Sequence, residues 1–429
     1  MRKILQFVLQ TKTLKHIIVN LAGTYANIFF VALFALVIVR ILNPADYGVL
    51  SVLFGLSYVL ANLLDLGVTA SIYSYLPAVY QDKIKLRRFV KAHFVYQSLV
   101  SFSVVFILIA FFEVFDSLIF KTGVSYLEVV LIGISIVFFV WQGFLLNLFL
   151  SVKQTVFVNL ALNISNIVKA VLLFVLIFAK KATIANIILV LGVIGPLVVF
   201  LIVLWYKKNA VLNSLRQRFE KKQLNLSYIL SFFIATQIFT LASRIDLFAV
   251  SYYLPKEVVG FYGLAQKVGL TVLASVTSIT QILSPQFSKV KSRDEFISLA
   301  KRSFFYLLIP AFLYLLVFLT PDFVYELVFT SRYAPAFDLI RFFALSYIFF
   351  PLANMPFLTI VYTFRRPKFL VFVNLLYLVL VFIGCWLLIP RYGAWGALYT
   401  LFFANLSGFV ILAFYVWKKI FVERFFEAG

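Results

Sequence analysis

The sequence predicts an all-α polytopic membrane protein of about twelve transmembrane helices, in two six-helix bundles related by a pseudo-two-fold axis along the membrane normal. Three observations predict it. The first is composition: of 429 residues, 64% are hydrophobic and 13% charged, with a mean hydropathy of +1.04. A soluble domain is roughly 45–50% apolar and about 25% charged. So few charges cannot cover so much apolar surface, which excludes a soluble enzyme and a disordered chain alike. The second is a recurrence of apolar runs about 20 residues long, enough to cross a hydrocarbon core of about 30 Å. The third is a turn near the start of the chain that returns near its middle.

The runs lie near 14–40, 47–77, 92–112, 125–150, 156–179, 183–206, 226–253, 259–287, 303–320, 336–362, 369–390 and 394–417. The first follows a basic start and continues to Val39 through Asn20 and Asn27. A signal peptide would have a shorter apolar core and a small-residue cleavage site, so this run is expected to be a retained span. The tenth carries Pro351, Asn354 and Pro356, which predicts a kink and a candidate hinge. An even number of spans puts both termini on one side. The gaps and ends on that side hold most of the basic residues: Arg2, Lys3, Lys12, Lys15, Lys83–Lys91, Lys153, Lys207–Lys222, Lys289–Arg302, Arg365, Arg366, Lys368, Lys418, Lys419 and Arg424. By the positive-inside rule both termini are cytoplasmic.

The stretch 207–225, KKNAVLNSLRQRFEKKQLN, is basic, polar and central. It is expected to link an N-terminal bundle, 1–206, to a C-terminal bundle, 226–429, and suits a short amphipathic helix on an anionic leaflet. The chain carries 38 Lys+Arg against 16 Asp+Glu, a net charge of +22. On a soluble protein that excess would suggest nucleic acid. Here topology accounts for it, so no nucleic-acid partner is expected. The lone Cys385 excludes disulfides and Cys-based metal sites. His16 and His93 are far apart in sequence and are expected at interfacial helix ends. No metal site and no catalytic cluster is predicted.

The repeated turn reads Leu42-Asn43-Pro44-Ala45-Asp46-Tyr47-Gly48 after the first run and Leu254-Pro255-Lys256-Glu257-Val258-Val259-Gly260 after the seventh. Both have an early Pro, an acid and a Gly leading into a long helix. Matching positions in each half make the pair informative. Halves of six helices enter the membrane in the same orientation, and such transporters bind substrate between them.

Arg40–Ile72, RILNPADYGVLSVLFGLSYVLANLLDLGVTASI, resembles the start of polysaccharide-unit flippases of the Wzx type, with a basic residue, a Tyr-Gly turn and a later Asp-Leu-Gly. Arg244–Val268 resembles their seventh and eighth helices. The pattern there is an aspartate, then Gly-x-Tyr-x-x-Ala: Asp246, Gly260, Tyr262 and Ala265. Ile389–Thr400 resembles the start of their last helix. The resemblance implies the fold of the multidrug/oligosaccharidyl-lipid/polysaccharide exporters. Its implied cargo is a polyprenyl-pyrophosphate-linked oligosaccharide, flipped for O-antigen or other surface polysaccharide. It implies a prokaryotic cytoplasmic membrane, contact with membrane lipids, and a polysaccharide polymerase as a working partner. No cofactor is implied; the coupling ion would be H⁺ or Na⁺. One departure is Tyr73 and Tyr75, where relatives often carry a basic residue. Lipid II flippases share the fold but usually add two helices, for which this chain has no run.

A Lys, Arg or Asp at mid-span costs about 2.5–3.5 kcal/mol on insertion scales and normally faces protein or a wet cavity. Lys169 lies in the fifth run. At 100° per residue Asn159, Asn163 and Asn166 fall within about 60° of one another, with Lys169 about 60° further round. This stripe fits a cavity lining; its amides also fit helix-to-helix hydrogen bonding. Gln237 and Arg244 share a face of the seventh run, Lys267, Thr271, Ser278 and Gln281 a face of the eighth. Asn62, Asp65, Thr69 and Tyr73 share one in the second, and Asn20, Thr24 and Asn27 one in the first. The substrate-binding candidates are therefore Lys169, Arg244, Lys267, Asn159, Asn163, Asn166, Gln237 and Asp65. Asp246 with Lys267, and Asp65 with Arg40, are candidate structural ion pairs. Cations exceed acids in the spans, which suits a pyrophosphate. Tyr73, Tyr75 and Trp141 fit sugar stacking, though packing is the commoner use of such residues. Two other readings stay open: a cation-coupled multidrug exporter of the same fold, and a membrane polysaccharide polymerase or ligase, which would need a larger extracellular loop than this chain has.

Overall fold

The computed structural model describes residues 12–152, 154–220, 224, 226–287, 290–423 and 425. Arg2, Lys3 and Lys153 lie outside them, as do the side chains of His16, Asn20, Thr24, Ser278 and Gln281. The described residues are α-helical nearly throughout, with short π and 3-10 turns. Nine helical stretches among them are long and apolar enough to cross a membrane. Three further long helices, α1 (Lys12–Ile41), α8 (Leu226–Tyr253) and α9 (Lys256–Phe287), occupy the intervals expected for the first, seventh and eighth runs.

The second run is not one helix. It forms α2 (Pro44–Leu63) and α3 (Val68–Val79), broken at Leu66 (φ 51°) and Gly67 (φ 80°). The left-handed region costs a non-glycine residue roughly 1–2 kcal/mol, and glycine almost nothing. A side chain at Gly67 would also collide with the Ile229 carbonyl. The break is capped: Asp65 accepts from the Thr69 backbone N–H at 3.2 Å and from its hydroxyl at 2.6 Å. The rotation count that placed Asn62 with Thr69 therefore does not carry across it.

Next come α4 (Lys83–Ala110), started by the Asp82 side chain, and α5 (Tyr126–Ser151), started by a Ser125/Glu128 capping box. After α6 (Thr155–Phe178), a short helix and a π turn lead into α7 (Gly195–Leu215), which kinks at Lys207 (φ −126°, ψ 28°). Beyond α8 and α9 lie α10 (Arg293–Leu319), α11 (Ala334–Tyr347), α12 (Phe349–Leu358), α13 (Pro367–Tyr392) and α14 (Ala394–Trp417). The tenth run is interrupted at Ile348 and ends in a π turn, Thr359–Thr363. Pro351 cannot tolerate a regular turn against the carbonyl four residues earlier, at Tyr347.

The chain divides into two compact units: 1–42, 53–115 and 123–234 in one, 43–52, 116–122 and 235–429 in the other. The division falls inside α8, and two short segments of the first half join the second unit. In that unit the two repeated turns meet. A Cβ at Gly48 would strike the Lys256 carbonyl, and one at Gly260 would strike the Pro44 carbonyl. Each glycine thus admits the backbone four residues before the other. The same unit holds the 116–122 segment through a hydrogen bond from Ser251 to the Phe120 carbonyl and an edge-on contact of Phe120 with Phe248.

The core of the first unit is Val68, Ile72, Leu76, Phe89, Phe144, Leu145 and Val203. The second is centred on Leu283, Phe287, Phe296, Leu358, Ile360 and Phe364. His93 is not interfacial: it is fully buried where α4 meets α3. Its Nδ1 lies 2.9 Å from the Phe89 carbonyl and its Nε2 2.8 Å from the Ser71 hydroxyl. A carbonyl only accepts, so Nδ1 carries the proton, Nε2 accepts from Ser71, and both nitrogens of a neutral ring are satisfied inside the core.

Candidate functional site

The polar residues singled out by the sequence fall into three clusters, two in the first unit and one in the second. The first joins α1 and α6. Asn163 donates to the Gly23 carbonyl at 2.9 Å and to that of Asn159 at 2.8 Å. Asn166 donates to Asn27 Oδ1 at 2.7 Å. Gly23 permits the approach, since a Cβ there would meet the Asn159 side chain. Both amides thus join the two helices, the use that polar residues commonly have between spans. Lys169, half-buried, runs its aliphatic stem against Gly195 and sets its ammonium 5.2 Å from the Phe34 ring centre. That is within cation–π reach.

The second cluster follows the break between α2 and α3. Thr69, already bound to Asp65, accepts from Asn147 of α5 at 2.9 Å. Tyr73 donates to Asn147 Oδ1 at 3.3 Å. Asp65 is therefore engaged by Thr69, one turn ahead of it. Asn147 was missed from the sequence. Its signal was a lone amide in an apolar run, which by itself has no direction. Trp141 is a packing residue: its indole donates to Ser98 at 3.0 Å and its ring is surrounded by Phe94, Phe102, Phe138 and Phe200. Tyr73 and Tyr75 are exposed, at 46% and 36%.

The third cluster joins α8 and α9. Asp246, 1% exposed, accepts from the Tyr262 hydroxyl at 2.6 Å and from the Gln266 amide at 2.9 and 3.1 Å. Gln266 turns its carbonyl the other way and accepts from Arg244 at 2.5 Å. The amide thus bridges a guanidinium and a carboxylate. Asp246 is not paired with Lys267. The α9 residue that faces α8 at this level is Gln266; Lys267, next in sequence, points to the exposed side and lies within electrostatic reach of Arg244. Gln237, partly buried, is two turns before Arg244 on α8. Gln266 was passed over in the sequence because an amide beside a lysine is the weaker signal of the two.

The acids of these spans are thus held by neutral donors: Asp65 by Thr69, Asp246 by Tyr262 and Gln266. Lys169 of α6, Arg244 of α8 and Lys267 of α9 outnumber these two acids. Such groups bind anions, a guanidinium in two-point fashion and an ammonium as a point charge.

A model of the family described as polysaccharide biosynthesis protein matches residues 13–291. No curated protein matches the chain's sequence. Among solved structures, the fold is similar to that of the lipid II flippase MurJ in an inward closed conformation, at 14% identity and a TM-score of 0.73, covering 93% of this chain and 87% of that one. It is similar to the multidrug transporter DinF-BH, at 13% identity and a TM-score of 0.68, over 94% of each chain. It is also similar to a transporter from Pyrococcus furiosus described as having a binding pocket of reversed polarity, at 14% identity and a TM-score of 0.57, over 94% and 93%. At such identities the likeness is one of fold.

Proposed function

From the premise that the chain belongs to the polysaccharide biosynthesis protein family, whose members are transporters and not enzymes, we propose that it flips a polyprenyl-pyrophosphate-linked oligosaccharide from the cytoplasmic to the outer leaflet for cell-surface polysaccharide synthesis. The observation that carries this reading is the charge arrangement. Asp65 and Asp246 are occupied by hydroxyl and amide donors, and the cations Lys169, Arg244 and Lys267 outnumber them. A pyrophosphate needs such a surplus; a cationic drug would be repelled by it.

In this reading twelve spans form two six-helix bundles, with both termini in the cytoplasm. Arg244 and Lys267, on α8 and α9 of the second unit, are pyrophosphate contacts, Lys169 is the candidate contact of the first unit, and the polyprenyl tail stays in lipid. Asn159 on α6 and Gln237 on α8 are further candidate sugar or phosphate contacts. Alternating rotation of the bundles exposes the glycan outside, with the proline-broken tenth run as a hinge. H⁺ or Na⁺ is the coupling ion, and the polysaccharide polymerase receives the product.

The test is a leaflet assay in proteoliposomes carrying a polyprenyl-pyrophosphate oligosaccharide, read by access of its sugar to an external lectin. Protein-dependent movement, lost in Arg244→Ala, supports the flippase. No movement with a panel of glycans under an imposed ion gradient, together with efflux of a cationic dye, would overturn it in favour of a drug exporter.

A further inference from the structure

The first unit contains a cavity of about 410 Å³ that none of the three clusters uses. It lies where α3 ends, α4 begins, α5 ends and α7 kinks. Four cations line it: Lys83, Arg87 and Lys91 of α4, and Lys207 at the kink of α7. The α4 residues recur every fourth position and so share one helical face. The neighbouring charges of that helix are directed elsewhere, Lys85 to Asp82 and Arg88 to Glu220. Below the cations the wall is apolar: Phe94, Phe144, Leu148, Phe149, Phe200 and Val203. Phe144 and Val203 belong to the unit's buried core, so this floor is fixed in place. Tyr80, 44% exposed, and the exposed Lys83 mark the mouth.

Positive-inside topology accounts for basic residues at this end of the helices. It does not account for four of them converging on one apolar cavity. A cavity of this size is in the range of ligand sites, about 300–1,000 Å³. A cationic mouth above an aromatic and aliphatic floor is complementary to an amphiphile with an anionic head. Basic pockets between spans at the cytoplasmic side bind anionic head groups in this way.

We propose that the cavity holds one anionic phospholipid, its phosphate among Lys83, Arg87, Lys91 and Lys207 and one acyl chain against Phe144, Leu148, Phe149 and Phe200. Bound there, the lipid joins α3, α4, α5 and α7 at their ends. The proposal does not depend on what cargo the protein carries.

The test uses the purified, delipidated full-length protein and native mass spectrometry with phosphatidylglycerol, with phosphatidylcholine of the same chains, and with glycerol phosphate as the free head. One phosphatidylglycerol is expected to remain bound under conditions that remove phosphatidylcholine. Lys83→Gln, Arg87→Gln and Lys207→Gln should each weaken it about fivefold, what about 1 kcal/mol for each basic residue implies. Val90→Trp, which fills the cavity and leaves the charges, should abolish retention. Should that variant fail to fold, the glutamine series still decides. Equal retention of both lipids overturns the proposal. So does unchanged affinity across the glutamine series, or tight binding of glycerol phosphate alone, which would mark a site for free anions.

Discussion

Arg244 is the residue on which the charge argument turns. Its guanidinium is steered by Gln266, and Gln266 is steered by Asp246, so one buried acid orients the cation without neutralising it by direct contact. If the chain is the flippase proposed above, Arg244→Ala should reduce lipid flipping about 10- to 100-fold, the loss of one charge-assisted hydrogen bond of about 1.5–3 kcal/mol. Arg244→Lys, which keeps the charge and loses the fork, should fall between. The lectin-access rate checks both, and an unchanged size-exclusion profile separates transport from folding. A second residue acts at the membrane edge. Asp82 starts α4 by accepting from the backbone of Lys85 at 3.1 Å and Ile84 at 3.0 Å. The Lys85 amide chief among these, with the Lys85 ammonium nearby, holds its carboxyl below the usual carboxylate value. The cap therefore contributes fully above about pH 4, the ordinary unfolded value, and is lost as pH falls through the lower folded one. The difference in melting temperature between the protein and Asp82→Ala should narrow on acidification below that point. Charges such as Lys169 and Asp246 were legible in the sequence because an apolar run throws them into relief. Gln266 and Asn147, which give those charges and hydroxyls their partners, were not, since a neutral amide costs a span too little to stand out.

At the scale of the element, the repeated turn is explained by its glycines. Gly48 and Gly260 each face the backbone of the other turn, so a methyl group at either has nowhere to go. Gly260→Ala should cost about 1–3 kcal/mol, as overpacking of a well-filled contact does. Gly408→Ala, at an open helical position, should be neutral or stabilising by up to about 1 kcal/mol. Thermal unfolding in detergent compares them; equal melting temperatures would show that the turns can separate freely. The match between the turns was readable as a pattern, and the proline-broken tenth run was readable from Pro351. The break inside the second run was not. Its Asp-Leu-Gly sits in an apolar stretch whose one proline, Pro77, is ten residues further on, and hydropathy does not register a change of φ. The meaning of that motif came from the geometry: Gly67 admits the Ile229 carbonyl and Asp65 caps the helix that follows.

At the scale of the whole molecule, the distribution of basic residues implies one orientation, and the lone cysteine makes it measurable. Cys385 is fully buried, so Cys385→Ala gives a background without reactive thiols while leaving the surface untouched. A cysteine introduced at Lys208 or Arg216, both exposed, belongs to the basic side; one at Glu113 or Glu326, also exposed, belongs to the opposite side. If the basic side is cytoplasmic, a membrane-impermeant thiol reagent added to intact cells should label Glu113→Cys and Glu326→Cys and leave Lys208→Cys and Arg216→Cys unlabelled until the cells are opened. The reverse pattern would invert the orientation. It would also move the lipid cavity beside Lys83 and Lys207 to the outer leaflet. A mixed pattern would mean an odd number of crossings between Glu113 and Glu326 or an even number between Glu113 and Arg216, and with it the end of the even-numbered, two-bundle arrangement. The flippase reading needs the first outcome, because it takes its cargo from the cytoplasmic leaflet and its cations must meet the pyrophosphate from that side.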